Sequence, residues 1–369
     1  MTASPPPPAA RRPRAPRRDA RRAAADPSAD RLTRILRYAR GHRRALVLTH
    51  DFPDPDALAS AVALAHLLER LAGVPTVVAY GGIVGRAENR ALIRVLKLPV
   101  VPVSRVDFDE HDLVCMVDTQ PEQGNHSLPA RIFPDVVIDH HPERPETRLV
   151  PVADVGRPMG STSTLLAGYF RAAGAVLPPR IATALYYGIK ADTRDLGRET
   201  TPQDVATYLW LFPMVDKEAL VQVEQPRLPP DYFHLFHAAI ERVRIYGHGA
   251  VCDVGEVYAP DVVAEVAERF LFLDGVKWSL AFGSYRDNLY FSLRVTDRRQ
   301  NAGRLIRDVI EKKGGVAGGH GSMAGARVPM RGLKPARRRA LRRELTRAFL
   351  AAFGQRRPRR PRKLVSAGP

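Results

Sequence analysis

The stretch LVLTHDFPDPDALASAVAL, residues 46–64, decides how the rest of the chain is read. An apolar run ends at His50, and Asp51, Asp54 and Asp56 follow within six residues. Carboxylates this close raise one another's pKa unless something compensates their charge. The run that leads into them, RALVLT (44–49), reads as a strand, and so do PTVVAY (75–80), DLVCMV (112–117) and DVVI (135–138). The last two are apolar throughout rather than alternating, as in a parallel sheet covered on both faces. Between them, DALASAVALAHLLERLAG (56–73) sets Leu58, Val62, Ala65, Leu68 and Leu71 on one helical face, and Gly73 stops the helix. ENRALIRVLKL (88–98), STSTLLAGYFRAAG (161–174) and PRIATALYYGIKAD (179–192) also read as helices.

This pattern predicts a doubly wound, mainly parallel α/β domain over 31–215. The Pro-broken VEQPRLPPDYFHLF (223–236) lies in a linker with a helix, 216–244. Strands at GAVCDVG (249–255), KWSLAFGSYRD (277–287) and NLYFSLRVT (288–296) alternate with helices at 259–273 and 301–314. They predict a smaller α+β domain over 245–332, with the active site in the cleft between the two domains.

The chain has 369 residues and a formal charge of +18, but the charge is unevenly placed. Residues 1–30 carry seven Arg against three Asp, and residues 331–369 carry fourteen Lys and Arg against one Glu. The 300 residues between them hold 36 basic and 35 acidic side chains. The basicity therefore belongs to two tails, 1–30 (Pro/Arg-rich, expected to be disordered) and 333–369. Such tails attract polyanions without sequence preference. No run approaches the length of a membrane span, and the N-terminus lacks the apolar core of a secretory signal. Cys115 and Cys252 have no metal-ligand spacing and read as buried small hydrophobes, which suits a reducing cytoplasm.

The acids and imidazoles fall at the ends of these elements. His50, Asp54 and Asp56 follow the first strand, Asp118 follows DLVCMV, and Asp139, His140 and His141 follow or end DVVI. Asp192 ends the helix at 179–192. Any single Asp here reads equally well as a turn former or helix cap. Three clusters at strand ends of one parallel sheet, however, are gathered at one edge, where open α/β sheets bind ligands. A His/Asp set without thiols suits Mn²⁺ or another borderline-hard divalent ion, and two such ions sharing a carboxylate suit phosphoester hydrolysis.

At this point the motifs HDFPDPDALAS (50–60), VDT (117–119), DHH (139–141) and ADT (191–193) resemble the four motifs of the DHH phosphoesterase superfamily. GGVAGGHGSMAGARVP (314–329) reads as a Gly-rich loop and resembles the Gly-rich signature of the DHH-associated C-terminal domain. The resemblance covers about 31–332 and points to its NrnA-like branch. It implies two divalent ions, Mn²⁺ first, with Mg²⁺ or Co²⁺ as alternatives. One would take His50, Asp54 and Asp118, and the other Asp56, Asp118, His140 and Asp192, with Asp118 shared. Asp51 is outside the family's ligand set.

The resemblance further implies that Asp118, Asp139, His140 and His141 form the catalytic core. Asp139 would orient a histidine and His141 would touch the scissile phosphate. Arg294, Gly318, Gly319, His320 and Gly321 would grip substrate phosphate. Valine follows Arg294 where the family often has serine, and AGGHGSMAG departs from the usual glycine run, so substrate details are less closely specified than the metal set. MGSTSTLL (159–166) also looks like a family segment, its Ser and Thr suited to capping the next helix.

The implied activity is hydrolysis of short single-stranded RNA or DNA to 5′-mononucleotides, with the 3′-phosphate of pAp as a second substrate. Alternatives are a cyclic or linear dinucleotide phosphodiesterase, a single-strand exonuclease of RecJ type, and a pyrophosphatase or exopolyphosphatase. A nucleic-acid-binding protein with an inert site is the non-enzyme alternative. The basic tails would add non-specific nucleic-acid contact. No membrane partner is expected, and a homodimer is open.

Overall fold

In a computed structural model, residues 27–355 and 360–365 are described, so most of the expected N-terminal tail lies outside the described residues. The first domain is built on six parallel strands, β1 (Ala45–Leu48), β2 (Thr76–Tyr80), β3 (Val100–Pro102), β4 (Leu113–Val117), β5 (Val136–Asp139) and β6 (Val152–Val155). Their order is β3-β2-β1-β4-β5-β6. The direction of winding reverses between β1 and β4, and the crevice at such a switch point is where this architecture places its ligands. His50 and Asp118 leave these two neighbouring strands.

One face of the sheet carries α1 (Pro27–Ala39), α2 (Pro55–Leu67), α3 (Ala87–Leu96), α4 (Thr162–Ala173) and α5 (Pro179–Asp192). Their apolar faces share one core with Val47, Val78, Cys115 and Ile138. The opposite face is covered differently. Leu46, Leu48, Met116 and Val137 pack under Val103, Val106, Phe108, Leu128 and Val150, which lie on turns and 3₁₀ segments. Helix α2 is buried on almost every side, and Asp54 caps it by accepting a hydrogen bond from the Ala57 N–H (3.0 Å). Gly73 closes the following turn at φ 74°, where a side chain is strained. The short strands β3 and β6 have no counterpart in the sequence reading: β3 has three residues and ends in Pro102, and β6 is interrupted by Asp154.

Helices α6 (Pro202–Leu211), α7 (Lys217–Glu224) and α8 (Pro230–Arg242) complete the connection to the second domain. That domain is a seven-stranded sheet of order β11-β12-β10-β9-β8-β7-β13. Its strands are β7 (Arg244–Tyr246), β8 (Gly249–Glu256), β9 (Trp278–Tyr285), β10 (Asn288–Val295), β11 (Val316–His320), β12 (Met323–Pro329) and β13 (Arg362–Lys363). Only β8 and β9 pair in parallel. Helix α9 (Asp261–Leu271) packs on one face, and α10 (Ala302–Ile310) and α11 (Pro335–Ala352) on the other.

Two sequence expectations change here. Residues 335–352, grouped with the basic tail, form α11, and Leu341, Leu345, Phe349 and Leu350 sit in the core of the second domain. The Gly-rich segment is a β-hairpin rather than a loop. Gly318 and Gly319 lie on edge strand β11, and Gly321 begins its two-residue turn.

Candidate metal centre

Three local structures converge at the carboxyl ends of β1, β4 and β5. The turn after β1 carries His50, then Asp54 at the cap of α2 and Asp56 in its first turn. Asp118 follows β4 in the left-handed region (φ 59°), a conformation that Asp and Asn tolerate best among side chains with a Cβ. Asp139 ends β5, and His140 and His141 follow it. Asp192 ends α5, where Arg198 donates to its backbone oxygen (2.6 Å) and approaches its carboxylate (3.4 Å).

The ligand atoms are close enough to serve common cations. His50, Asp54 and Asp118 offer one group of oxygen and nitrogen atoms lying within 4.8 Å of one another, and Asp56, His140 and Asp192 offer another. Asp118 stands between the groups, with Oδ2 3.6 Å from His50 Nε2 and Oδ1 3.8 Å from His140 Nε2. His140 Nε2 lies 3.3 Å from Asp192 Oδ2.

The chemistry of the two histidines provides a test of fit. His50 Nδ1 lies 2.9 Å from the Asp51 carbonyl, and His140 Nδ1 lies 3.0 Å from the Met159 carbonyl. A carbonyl only accepts, so each Nδ1 must carry the proton. In the neutral ring the Nε2 lone pair then points at carboxylates, which also only accept. His140 Nε2 is buried with no hydrogen-bond partner. A set of acceptors aimed at one another calls for a cation, and His/carboxylate donors suit a borderline-hard divalent ion. Without one, protons must do this work. Burial and the Asp118, Asp192 and Asp54 charges push the Asp56 carboxyl well above its usual range. Burial and Asp54 raise that of Asp192 to about 6. Burial opposes a charge on His50, but the Asp118 and Asp54 carboxylates, 3.6 and 3.8 Å from its Nε2, raise its pKa well above the usual value.

Asp56 has a second attachment. It is 1% exposed, and its two oxygens accept the Thr162 and Ser163 N–H groups at the start of α4, both at 2.7 Å. Gly188 on α5 is required there, since a Cβ would lie 2.3 Å from Ser163 Oγ. The Thr162 hydroxyl donates to Asp118 Oδ1 (2.9 Å) and also receives the His140 N–H (3.3 Å).

Asp139 and His141 form a separate pair. His141 Nδ1 lies 2.7 Å from Asp139 Oδ1, and Gln120 Nε2 donates to Asp139 Oδ2 at 2.8 Å. Burial disfavours the charged imidazole, but the Asp139 hydrogen bond outweighs it and lifts the His141 pKa to about 10. Gln120 is itself fixed, accepting from Arg144 N and Thr147 Oγ1. Sequence reading missed Gln120, Thr162 as a ligand-orienting group, and Arg198. The helix-cap role of 159–166 was the one available signal for Thr162. Asp51 is tied to Ser127 Oγ (2.7 Å).

The expected substrate residues lie on the second domain. Arg294 is 6% exposed, donates to Ser292 Oγ (2.8 Å), and pairs through Nε with Glu268 of α9 (3.2 Å). Arg86 of the first domain pairs with the same Glu268 oxygen at 3.1 Å. Thus Arg294 sits in an ion triad across the domain seam rather than free in the cleft. Burial, Arg86 and Arg194 lower its pKa, Glu268 opposing them. Gly318 has open space where a Cβ would stand, whereas Gly319 (φ 137°) leaves no room beside Ala324. His320 ends β11.

Comparison with known proteins follows the same division. Residues 44–189 match the DHH family, N-terminal domain, and residues 247–349 match the DHHA1 domain. An uncharacterized protein of Methanocaldococcus jannaschii is 33% identical over 287 residues, 77% of this chain and 58% of that protein. A probable manganese-dependent inorganic pyrophosphatase of Staphylococcus aureus is 28% identical over 160 residues, 43% of this chain and 51% of that one. The chain thus spans little more than half the length of these curated relatives. A crystal structure of an exopolyphosphatase-related protein from Bacteroides fragilis shares the fold, with a TM-score of 0.66 at 15% identity, over 88% of this chain and 98% of that one.

Proposed function

We propose that the chain, whose residues 44–189 match the DHH family, N-terminal domain, and 247–349 the DHHA1 domain, is a two-metal phosphoesterase acting on short oligonucleotides. The observation that carries this reading is the pair of histidines, each fixed through Nδ1 so that Nε2 faces a carboxylate set centred on Asp118. His50, Asp54 and Asp118 would hold one ion, and Asp56, Asp118, His140 and Asp192 the other. Bound there, divalent ions supply Lewis acidity and charge neutralisation for phosphoester hydrolysis. Mn²⁺ is favoured by the ligand set and by the manganese-dependent relative.

The protein's own groups do the rest. Asp139 favours the protonated form of His141, which would donate to a non-bridging phosphate oxygen as negative charge builds. Thr162 and Arg198 hold Asp118 and Asp192 in place. The edge strand β11, with Gly318 and Gly319, can turn backbone N–H groups toward a terminal phosphate, with His320 beside them. Arg294 would join this grip by exchanging Glu268 for phosphate. Charge near neutrality over residues 31–330 suits a short substrate better than a long duplex track. Inorganic pyrophosphate is the second reading, favoured by the same relative.

The test is a Mn²⁺ time course on equal concentrations of a 5′-phosphorylated dinucleotide, a 24-mer, pAp, c-di-AMP and pyrophosphate. Mononucleotide should appear fastest from the dinucleotide. Pyrophosphate cleaved first would move the function to the second reading, and preference for the 24-mer would point to a processive nuclease.

A further inference from the structure

The second domain carries a concavity that the metal centre does not use. It lies on the α11 side of the sheet, opposite the α9 face that pairs with the first domain through Glu268 and Arg86. Its volume is about 350 Å³. Arg242, Arg244, Arg342, Arg343 and Arg347 surround it, and Asp253 is the sole acid among its lining residues.

Asp253 is already engaged. Arg342 pairs with it, reaches Ser284 Oγ, and stands 5.9 Å over the Phe282 ring. Arg242 and Arg244 each anchor one guanidinium nitrogen on backbone carbonyls, those of Val254 (2.9 Å) and of Glu241 and Val243 (2.8 and 2.9 Å). Their remaining N–H groups are unused by these bonds. Arg343 and Arg347 are exposed, four residues apart on one side of α11. Among the described residues, none of these four guanidinium groups has a carboxylate partner within 4.0 Å. Four uncompensated cations around one hollow repel each other, and an anion is the missing counter-charge.

The hollow is not polar throughout. Tyr246, Phe282 and Leu350 give it an apolar wall, with Val251 beneath. A guanidinium rim, held in part by backbone carbonyls and Asp253, over an apolar floor matches a small molecule that joins phosphates to a flat, apolar-faced group. The volume falls at the lower end of small-molecule pockets, roughly 300–1,000 Å³. An extended nucleic-acid strand would need a track rather than a hollow of this size. We propose that this cavity is a second ligand site, separate from the metal centre, that binds a nucleoside di- or triphosphate.

The test is an equilibrium titration of the full chain with a fluorescent ADP analogue, in wild type and in Asp118→Asn, which disables the metal centre. Both should bind it alike. Arg343→Ala/Arg347→Ala, which touches no buried side chain, should weaken binding roughly tenfold or more while leaving the melting temperature unchanged. Binding lost in Asp118→Asn, or untouched by the double substitution, would overturn the assignment, as would no binding at millimolar ADP. Displacement by pyrophosphate as readily as by ADP would overturn the nucleoside part. Displacement by a 12-mer more tightly than by ADP would make the face a nucleic-acid surface instead.

Discussion

Asp56→Asn and Asp118→Asn each replace one carboxyl group of the same cluster at almost the same volume, yet they should differ in what they cost the metal-free fold. Both Asp56 oxygens accept backbone N–H groups at 2.7 Å, from Thr162 and Ser163. An asparagine has one carbonyl oxygen, so its NH₂ must face one of those donors. One of the two backbone bonds is lost and a buried N–H is left unpaired, at a cost of about 2–3 kcal/mol. Asp118 has weaker ties. Its one short side-chain contact is the Thr162 hydroxyl (2.9 Å), which an Asn carbonyl can equally accept. Its imidazole neighbours stand at 3.6–3.8 Å, beyond good hydrogen-bond length. Asparagine also keeps the φ 59° backbone without strain, so this substitution should cost about 1 kcal/mol or less. A gap of roughly 1–2 kcal/mol corresponds to about 3–6 °C in melting temperature for a domain of this size. Urea and thermal unfolding in EDTA read it directly, while activity with Mn²⁺ should be lost in both. Equal stability of the two variants, or a less stable Asp118→Asn, would refute the view that Asp56 serves the fold as well as the metal.

Three further outcomes follow from the second domain. Burial, with Glu88 adding to it, raises Glu265 to about 7 at the domain seam; this acid is protonated when folded and ionised when unfolded, so stability falls as pH rises from about 4.5 through 7. Unfolding midpoints at pH 5 and 8 should therefore separate in wild type more than in Glu265→Gln, and parallel shifts would count against the assignment. Leu345 on α11 is fully buried, and Leu345→Ala should cost about 2–5 kcal/mol. A chain ending at residue 332 should accordingly fail to fold its second domain, whereas one ending at 355 should fold; proteolysis that spares the shorter form would refute this.

What the sequence made legible was local. His50, Asp54, Asp56, Asp118 and the Asp139–His141 run each sit at the end of an apolar stretch, so period and position alone place them on one sheet edge. Gln120 could not be read this way. Its role is to hold Asp139, 19 residues away, and nothing in its own neighbourhood marks it. Thr162 lies 44 residues from Asp118 and looks, in sequence, like a helix-start residue, which it also is. Helix α11 was hidden for another reason. Leu341, Leu345 and Phe349 repeat every four residues, but the arginines between them swamp the composition and make the segment resemble a solvated tail. The glycines of β11 misled in the opposite way, because low strand propensity conceals a strand whose pairing is supplied by β12.

Cap and ligand were competing readings for Asp54 and Asp56, and the structure makes them one reading. Asp54 accepts from the first turn of α2, and Asp56 from the first turn of α4. The N–H groups at a helix start carry partial positive charge and no intrahelical partner, so they stabilise a carboxylate without consuming all its lone pairs. Each acid keeps an oxygen face toward the cluster while its other side is held by backbone. This explains how four carboxylates can be brought together as the chain folds, before any cation arrives. It also separates two roles that a structural metal site combines. Here backbone N–H groups hold Asp54 and Asp56 in position, and the uncompensated remainder, centred on Asp56, Asp118 and the two Nε2 lone pairs, is what a pair of divalent ions would complete.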